Sequence, residues 1–273
     1  MKQILIPVDF TARCWNTLNC AIRHFRQSDT TFYLLHVAAI EQPSLDQDDD
    51  LVMHKNLAAH EQLTTWVERA KQIASPEQEI LSLESQENFI SAVRQVVQDY
   101  QIDLIAMSTH QPNVFQDSVL GSYTREVLTR IKCPVLIVPS EVQCPVPQQM
   151  ALVTDFNFRH NAQAVTAIKE VVTNNKAHLH ILNLSKKDGV INERQSQNKL
   201  FLQDAFDSIS HSFHFVINKT MDEALQFFIN VQSVELVILF AKNMNFSESL
   251  LFSPSLDATI DYHKKVPFLI VHE

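Results

Sequence analysis

Short apolar runs alternate with helical stripes along the whole chain, and the series is written twice. In the first half QILIPVDF, FYLLHVA, EILSLES, DLIAMST and CPVLIVP are apolar runs of strand length, most of them unbroken. Parallel strands covered on both faces read this way, whereas a strand with one wet face alternates. After Thr11, a predicted N-cap, Cys14, Leu18, Ala21, Ile22 and Phe25 fall on one helical stripe. Leu63, Trp66, Val67, Ala70, Ile73 and Ala74 mark a second helix, preceded by EQPSLDQDDD, which reads as a solvated acidic loop. Phe89, Ile90, Val93, Val96, Val97 and Tyr100 form a third face, and Gly121 and Ser122 open a short helix with Val127, Leu128 and Ile131 inward. Strand and helix in strict alternation specify an α/β fold, a doubly wound parallel sheet with right-handed crossovers.

The second half follows the same order. ALVTDF corresponds to ILIPVDF, which sets Asp155 on Asp9, and LHILNL corresponds to FYLLHV. SFHFVIN, a helix from Asp222 to about Val231, and ELVILFA come next, and VPFLIVHE corresponds to CPVLIVP, with Pro267 on Pro134. Self-similarity at half the chain length predicts tandem domains, and 273 residues suffice for two cores. The segment EVQCPVPQQ, with Pro145 and Pro147, has linker composition, which divides the chain into domains over 1–142 and 150–273 joined by 143–149.

Glycine usage excludes several enzyme classes. Gly121 and Gly189 are the only two, where average usage of about 7% would give roughly nineteen. No Walker phosphate loop, GxGxxG dinucleotide turn, GxSxG elbow or EF-hand loop can be written with them. A formal charge of −9 makes nucleic acid and anionic membrane poor partners. No apolar run approaches the roughly 20 residues of a membrane span, and MKQILIPVDF, broken by Pro7 and Asp9, does not read as a signal peptide. Cys14, Cys20, Cys133 and Cys144 form no CxxC pair and read as reduced cytoplasmic thiols, although position alone leaves room for one disulfide.

IPVDF at the first strand, LLHV at the second, MSTH with its spacing through LGS, and CPVLIVP together resemble the universal stress protein family in its tandem form. The resemblance covers residues 1–142 by motif and 150–273 by order of elements. It implies two five-stranded sheets of order 3-2-1-4-5, of the adenine nucleotide alpha hydrolase kind, with ATP or AMP bound in some members at the carboxyl ends of strands 1 and 4. General α/β physics puts a ligand at the same switch point. It also implies that the two terminal strands, around Val135–Val138 and Phe268–Val271, pair antiparallel, so that the chain is a covalent pseudo-dimer. A homodimer of such chains and an unidentified protein partner are further expectations, as is a cytoplasmic stress-response role.

In nucleotide-binding members strand 4 leads into Gly, two residues, Gly, nine residues, Gly and then Ser or Thr. Ser108, Gln111, Gly121 and Ser122 occupy those places here, so two of three glycines are absent. Such glycines let backbone N–H groups approach phosphates and lead into a helix N-terminus that favours anions. Gln111 and Ser108 put side chains there. Around them, Pro7, Val8, Asp9, His36, Val37, Met107 and Thr109 complete the candidate nucleotide cleft, with the adenosine end left to Val8, Asp9, Val37 and Met107. In the second half, counting from Pro267 as Gly121 lies from Pro134 gives Pro254, which has no N–H, and the loop KNMNFSESLLF has no glycine. That loop is expected to fill or cover its cleft.

Other constellations read as structural. Asp155 is expected to be an N-cap or loop carboxylate, and His36 is either a hydrogen-bonded strand end or a ligand contact. His178 and His180 share a strand face with His211 and His214 near the next strand, yet zinc needs three or four converging ligands and neither a Cys pair nor HExxH is present. No metal is expected. Phe227, Phe228 and Phe240 read as core, and Ser108, Thr109 and His110 as neighbours pointing to opposite faces rather than a catalytic set. The expectation is a non-enzymatic regulatory or interaction protein with a degraded cleft. The alternatives are an ATP- or AMP-binding sensor using the first domain, with slow hydrolysis, and a nucleotidyltransferase, whose HxGH and KMSKS-type signatures are absent.

Overall fold

The computed structural model describes residues 1–26, 29–38, 49–109, 122–140, 142–184, 191–216, 220–241 and 260–272. The first half runs β1 (Lys2–Pro7), α1 (Ala12–His24), β2 (Thr30–Val37), α2 (Asp49–Lys71), β3 (Gln78–Ser85), α3 (Phe89–Asp99), β4 (Leu104–Ser108), α4 (Ser122–Arg130) and β5 (Val135–Val138). The second runs β6 (Gln149–Thr154), α5 (Ala162–Asn175), β7 (His178–Leu184), α6 (Glu193–Ala205), β8 (His211–Val216), α7 (Met221–Gln232), β9 (Leu236–Phe240), α8 (Tyr262–Lys265) and β10 (Phe268–Val271). Every strand legible as an apolar run is present.

All ten strands join one sheet of order β3-β2-β1-β4-β5-β10-β9-β6-β7-β8. Within each half the pairings are parallel and the order is 3-2-1-4-5, as expected. The halves meet where β5 and β10 pair antiparallel, Ile137 opposite Phe268 and Val135 opposite Ile270. Both strands are fully buried, so each apolar edge that would template aggregation is covered by the other. Two cores line the two faces. One, with Ile4, Leu18, Phe32 and Leu152, lies under α1, α2, α5 and α6; the other, with Leu5, Val93, Val127 and Leu225, lies under α3, α4 and α7.

Thr11 caps α1 as expected, its hydroxyl accepting from the Cys14 N–H. Two expectations need correction. The acidic run does not end before the second helix: Asp49 and Asp50 already belong to α2, which also stops at Lys71 and leaves Ile73 outside it and 43% exposed. Helix formers around Leu57 carry the pattern back past the stripe that packing alone marks.

The four cysteines are not all thiols. Cys20 and Cys144 are disulfide-bonded, with Cα atoms 5.2 Å apart, and Cys14 and Cys133 are free and buried. A separation of 124 residues gives no local signal. The residues around Cys144 are laid along α1: Asn16 Nδ2 donates to the Val142 carbonyl at 2.9 Å and Arg23 Nη1 to the Cys144 carbonyl at 3.5 Å. Lys2 Nζ reaches Glu170 Oε2 of α5 at 2.9 Å, which adds a second tie between the halves.

His24, on the same helix, is 3% exposed and its imidazole is held down to a pKa of about 4 by burial, against a hydrogen bond to the Pro145 backbone. Below pH 6.5 the unfolded chain protonates this imidazole and the native protein does not until about pH 4. Stability is therefore fully present above pH 6.5 and falls as pH drops, by about 3 kcal/mol from His24 alone. Urea unfolding at pH 7 and pH 4.5 measures it. Equal stability at the two values would mean that protons reach His24 in the folded protein.

Candidate functional site

In a doubly wound sheet the ligand crevice opens at the carboxyl ends of the strands flanking the order reversal, which in the first half are β1 and β4. β1 pairs with both β2 and β4, so three of the predicted segments come together there. Pro7, Val8 and Asp9 leave β1, His36 and Val37 end β2, and Met107, Ser108 and Thr109 end β4. Ser122 opens α4, and Thr124 Oγ1 donates to the Ser108 carbonyl at 3.3 Å, which holds the first turn of that helix against the end of β4. Gln111 and Gly121 lie outside the described residues, as do Pro254 and the loop 242–252.

Asp9 is half-exposed and its carboxylate is engaged locally. Oδ1 accepts from the Thr11 N–H at 3.0 Å and from the Thr11 hydroxyl, and Oδ2 stands 3.5 Å from Arg13 Nη2. The turn that this builds places Phe10 at φ 58°. A bulky residue in the left-handed region is rare and strained, and in this chain no glycine is there to take the position. The Phe10 ring then packs on His36 at 4.8 Å and edge-on to Trp66 at 5.7 Å, with Trp66 against Trp15 at 5.1 Å and Arg69 over the Trp15 ring at 4.0 Å. His36 Nδ1 lies 3.4 Å from the Val8 carbonyl, so the histidine is tied to the strand end beside it. Neither Phe10 nor this aromatic row was legible as a site feature, because stripe patterns assign rings to the core without placing them.

The second half repeats the backbone and changes the contents. Ile4 pairs with Leu104 as Met150 pairs with Leu236, so Ser108 corresponds to Phe240 and Asp9 to Asp155. Phe156 takes the left-handed φ of 56° that Phe10 has. Where β4 ends in Ser108, the Phe240 ring stacks on Phe158 at 4.9 Å and 19°, and both are buried. His160 stacks on Phe201 at 4.0 Å and its Nε2 meets Asn198 Oδ1 at 2.7 Å. Asp155 is used internally: Oδ1 accepts from the Asn157 N–H at 2.8 Å and the carbonyl accepts from Gln195 Nε2 at 2.7 Å. Phe228 and Phe240 are core as expected, whereas Phe227 is 51% exposed.

The histidines gather more closely than spacing implied. His180 Nδ1 is 3.0 Å from His214 Nε2, Ser212 Oγ is 2.8 Å from both His214 Nε2 and His178 Nε2, and His180 Nε2 meets Gln149 Oε1 at 2.9 Å. His211 takes no part in these bonds, its Nδ1 lying 3.0 Å from the Ile209 carbonyl, but its charge bears on His178. Burial, with the neighbouring imidazoles, lowers the pKa of His180 to about 4 and lowers that of His178 and His214. Neutral rings linked by alternating donors and acceptors make a structural network near the amino ends of β7 and β8, away from the crevice. Among the described residues no group of three or more His, Cys, Asp or Glu is arranged to hold a metal ion.

Comparison with known proteins agrees with the architecture. Residues 1–139 match the universal stress protein family. A universal stress protein from Archaeoglobus fulgidus DSM 4304 has a similar fold, with TM-score 0.70 at 16% identity over 99% of this chain and 98% of that one. A protein described as a universal stress protein from Pseudomonas aeruginosa UCBPP-PA14 aligns at 11% identity over 100% of this chain and 93% of its own, with TM-score 0.59. A universal stress protein solved in complex with cAMP aligns with 51% of this chain and 98% of its own at 16% identity, with TM-score 0.40. No curated protein sequence matches the chain. Among the described residues no helix is long and apolar enough to cross a membrane.

Proposed function

The chain belongs to the universal stress protein family, and from that premise we propose that it is a non-enzymatic, cytoplasmic stress-response module that acts by binding a protein partner, its nucleotide cleft degraded in both halves. The observation that carries this reading is the Phe158–Phe240 stack, which puts two buried rings at the carboxyl ends of β6 and β9 where the first half ends β4 in a serine. Asp155, the counterpart of Asp9, spends its carboxylate and carbonyl on its own loop and on α6. In the first half the motif positions Ser108 and Gln111 carry side chains where family members that bind nucleotide have glycine. Without close backbone approach a triphosphate keeps only the dipole of α4, a contribution of roughly 0.3–1 kcal/mol that salt screens.

A second reading is favoured by the first half alone. Asp9, Val37 and Met107 lie at the carboxyl ends of β1, β2 and β4 and Ser122 at the N-terminus of α4, a set that suits an ATP or AMP sensor. Titration calorimetry of the full chain with MgATP, AMP and adenosine separates the two readings, together with phosphate release at millimolar ATP. The expected result is no binding tighter than sub-millimolar and no phosphate release. Because bound ligand stabilises by RT ln(1 + [L]/Kd), a micromolar Kd at 1 mM ATP would also add about 4 kcal/mol to stability. Such binding would replace the first reading with the sensor, and phosphate release that Asp9→Ala abolishes would make the protein an enzyme.

A further inference from the structure

We propose that Cys20 and Cys144 form a reversible redox site that latches the segment between the two sheet halves onto α1. One face of α1 is given over to that segment. Asn16, Cys20, Arg23 and His24 recur at the spacing of one helical face, and each engages it. Asn16 Nδ2 donates to the carbonyls of Val142 at 2.9 Å and Pro139 at 3.4 Å, Arg23 Nη1 donates to that of Cys144 at 3.5 Å, and His24 hydrogen-bonds the Pro145 backbone. The segment itself is extended, with Val142 and Cys144 turned inward at 8% and 3% exposed, and Gln143, Pro145 and Val146 outward.

This seat explains why the bond is reversible rather than a scaffold. Polar contacts and the burial of Val142 hold the segment in place when the sulfurs are not joined. With the bond formed the Cα atoms are 5.2 Å apart, within the ordinary range for a disulfide. The ten-stranded sheet is paired without it, and Cys20, Val142 and Cys144 belong to the first core whether or not the sulfurs are joined. Access comes from the linker side. Val142, Cys144 and Pro147 are buried while Gln143, Pro145 and Val146 face water, so a local opening between Val142 and Pro147 exposes the Cys144 sulfur. Cys14 and Cys133 are free, and burial pushes each thiol up to about 12, where thiolate is scarce.

Glutathione disulfide, a small disulfide oxidant, closes the latch in two exchanges. The Cys144 thiolate attacks one glutathione sulfur, forming a mixed disulfide and releasing one glutathione thiolate. The Cys20 thiolate then attacks the Cys144 sulfur and releases the second. Two electrons pass to glutathione, and the two protons lost from the cysteines end on the two released thiols. Excess reduced glutathione runs the same steps backward. A bond of this kind in a reducing compartment is formed on oxidation, not constitutively.

The test equilibrates the full chain in glutathione buffers of varied [GSH]²/[GSSG], quenches with acid, alkylates after unfolding, and counts free thiols by mass spectrometry. The count should pass from four to two across about a hundredfold change in that ratio, as a single two-electron couple requires. Peptide mapping should assign the lost thiols to Cys20 and Cys144. Hydrogen exchange on the reduced protein should accelerate at 142–147 and not in β1, β4, β6 or β9, and Cys144→Ser should exchange at the reduced rate in every buffer. Two thiols throughout would make the bond a fixed staple, and four throughout would mean that it does not form. Equal exchange at 142–147 in both states would remove the latch, and each of these three results overturns the proposal.

Discussion

Ser108→Gly combined with Gln111→Gly is expected to raise ATP affinity by about 10–10³-fold over the parent chain. The gain corresponds to two charge-assisted backbone contacts at roughly 1.5–3 kcal/mol each, less 0.5–1 kcal/mol of loop entropy for each added glycine. The frame for those contacts is in place on the Ser108 side. Thr124 holds the Ser108 carbonyl, a backbone group that glycine keeps, and so α4 remains seated with its N-terminus at the strand end. The part played by Gln111 rests on spacing alone. ATP should gain far more than adenosine, because only phosphates use the cradle. Calorimetric titration of both proteins with both ligands decides the matter. Tight ATP binding by the parent chain would show that the glycines are dispensable, and equal gains for ATP and adenosine would show that the added affinity does not come from phosphate contacts.

Asn198→Ala is expected to destabilise the second half by about 3–5 kcal/mol. Asn198 is 4% exposed and lies on α6, and it donates from Nδ2 to the carbonyls of Phe156 at 2.8 Å and Phe158 at 3.0 Å. Its Oδ1 meets His160 Nε2 at 2.7 Å. Alanine leaves the carbonyls of the buried Phe156 and Phe158 without that partner, each at roughly 1–3 kcal/mol, and frees the exposed His160 ring from its bond. The loop concerned carries Phe156 at positive φ, a conformation that the surroundings must enforce. Urea unfolding would report the loss, and hydrogen exchange should localise it to 155–160. A change under about 1 kcal/mol would mean that water replaces the amide and that the ring stack, not Asn198, holds the loop.

How much of this was legible from residues depends on the kind of signal. The ten strands were: the inner ones because a parallel strand buried on both faces must be apolar almost without break, as in LVILF or VLIV, and the edge strands β3 and β8, which are only partly buried, by their place in the order. α6 left no such trace. Its fully buried residues are Asn198 and Leu202, with Phe201 and Ala205 packed beside them, so an amide interrupts a short apolar face among polar residues, and a hydrophobic-period reading passes over it. The candidate cleft was legible as far as strand ends could be located by motif. The left-handed turns at Phe10 and Phe156 were not, since the same Asp-Phe pair is compatible with ordinary backbone.

The sequence by itself determined the element order and the parallel pairing within each half, while the joining of the halves by their apolar terminal strands was implied by the family resemblance. The first two follow from local composition, because burying an apolar run is a property of that run and its handed connections. Tertiary structure alone decided that Cys20 meets Cys144, that Phe240 stacks on Phe158, and that His178, His180 and His214 share one serine. Each of these is a contact between residues far apart in the chain or on different strands, where a displacement of a few ångströms separates a bond from no contact. No local pattern records that distance; it is set only when both cores have packed.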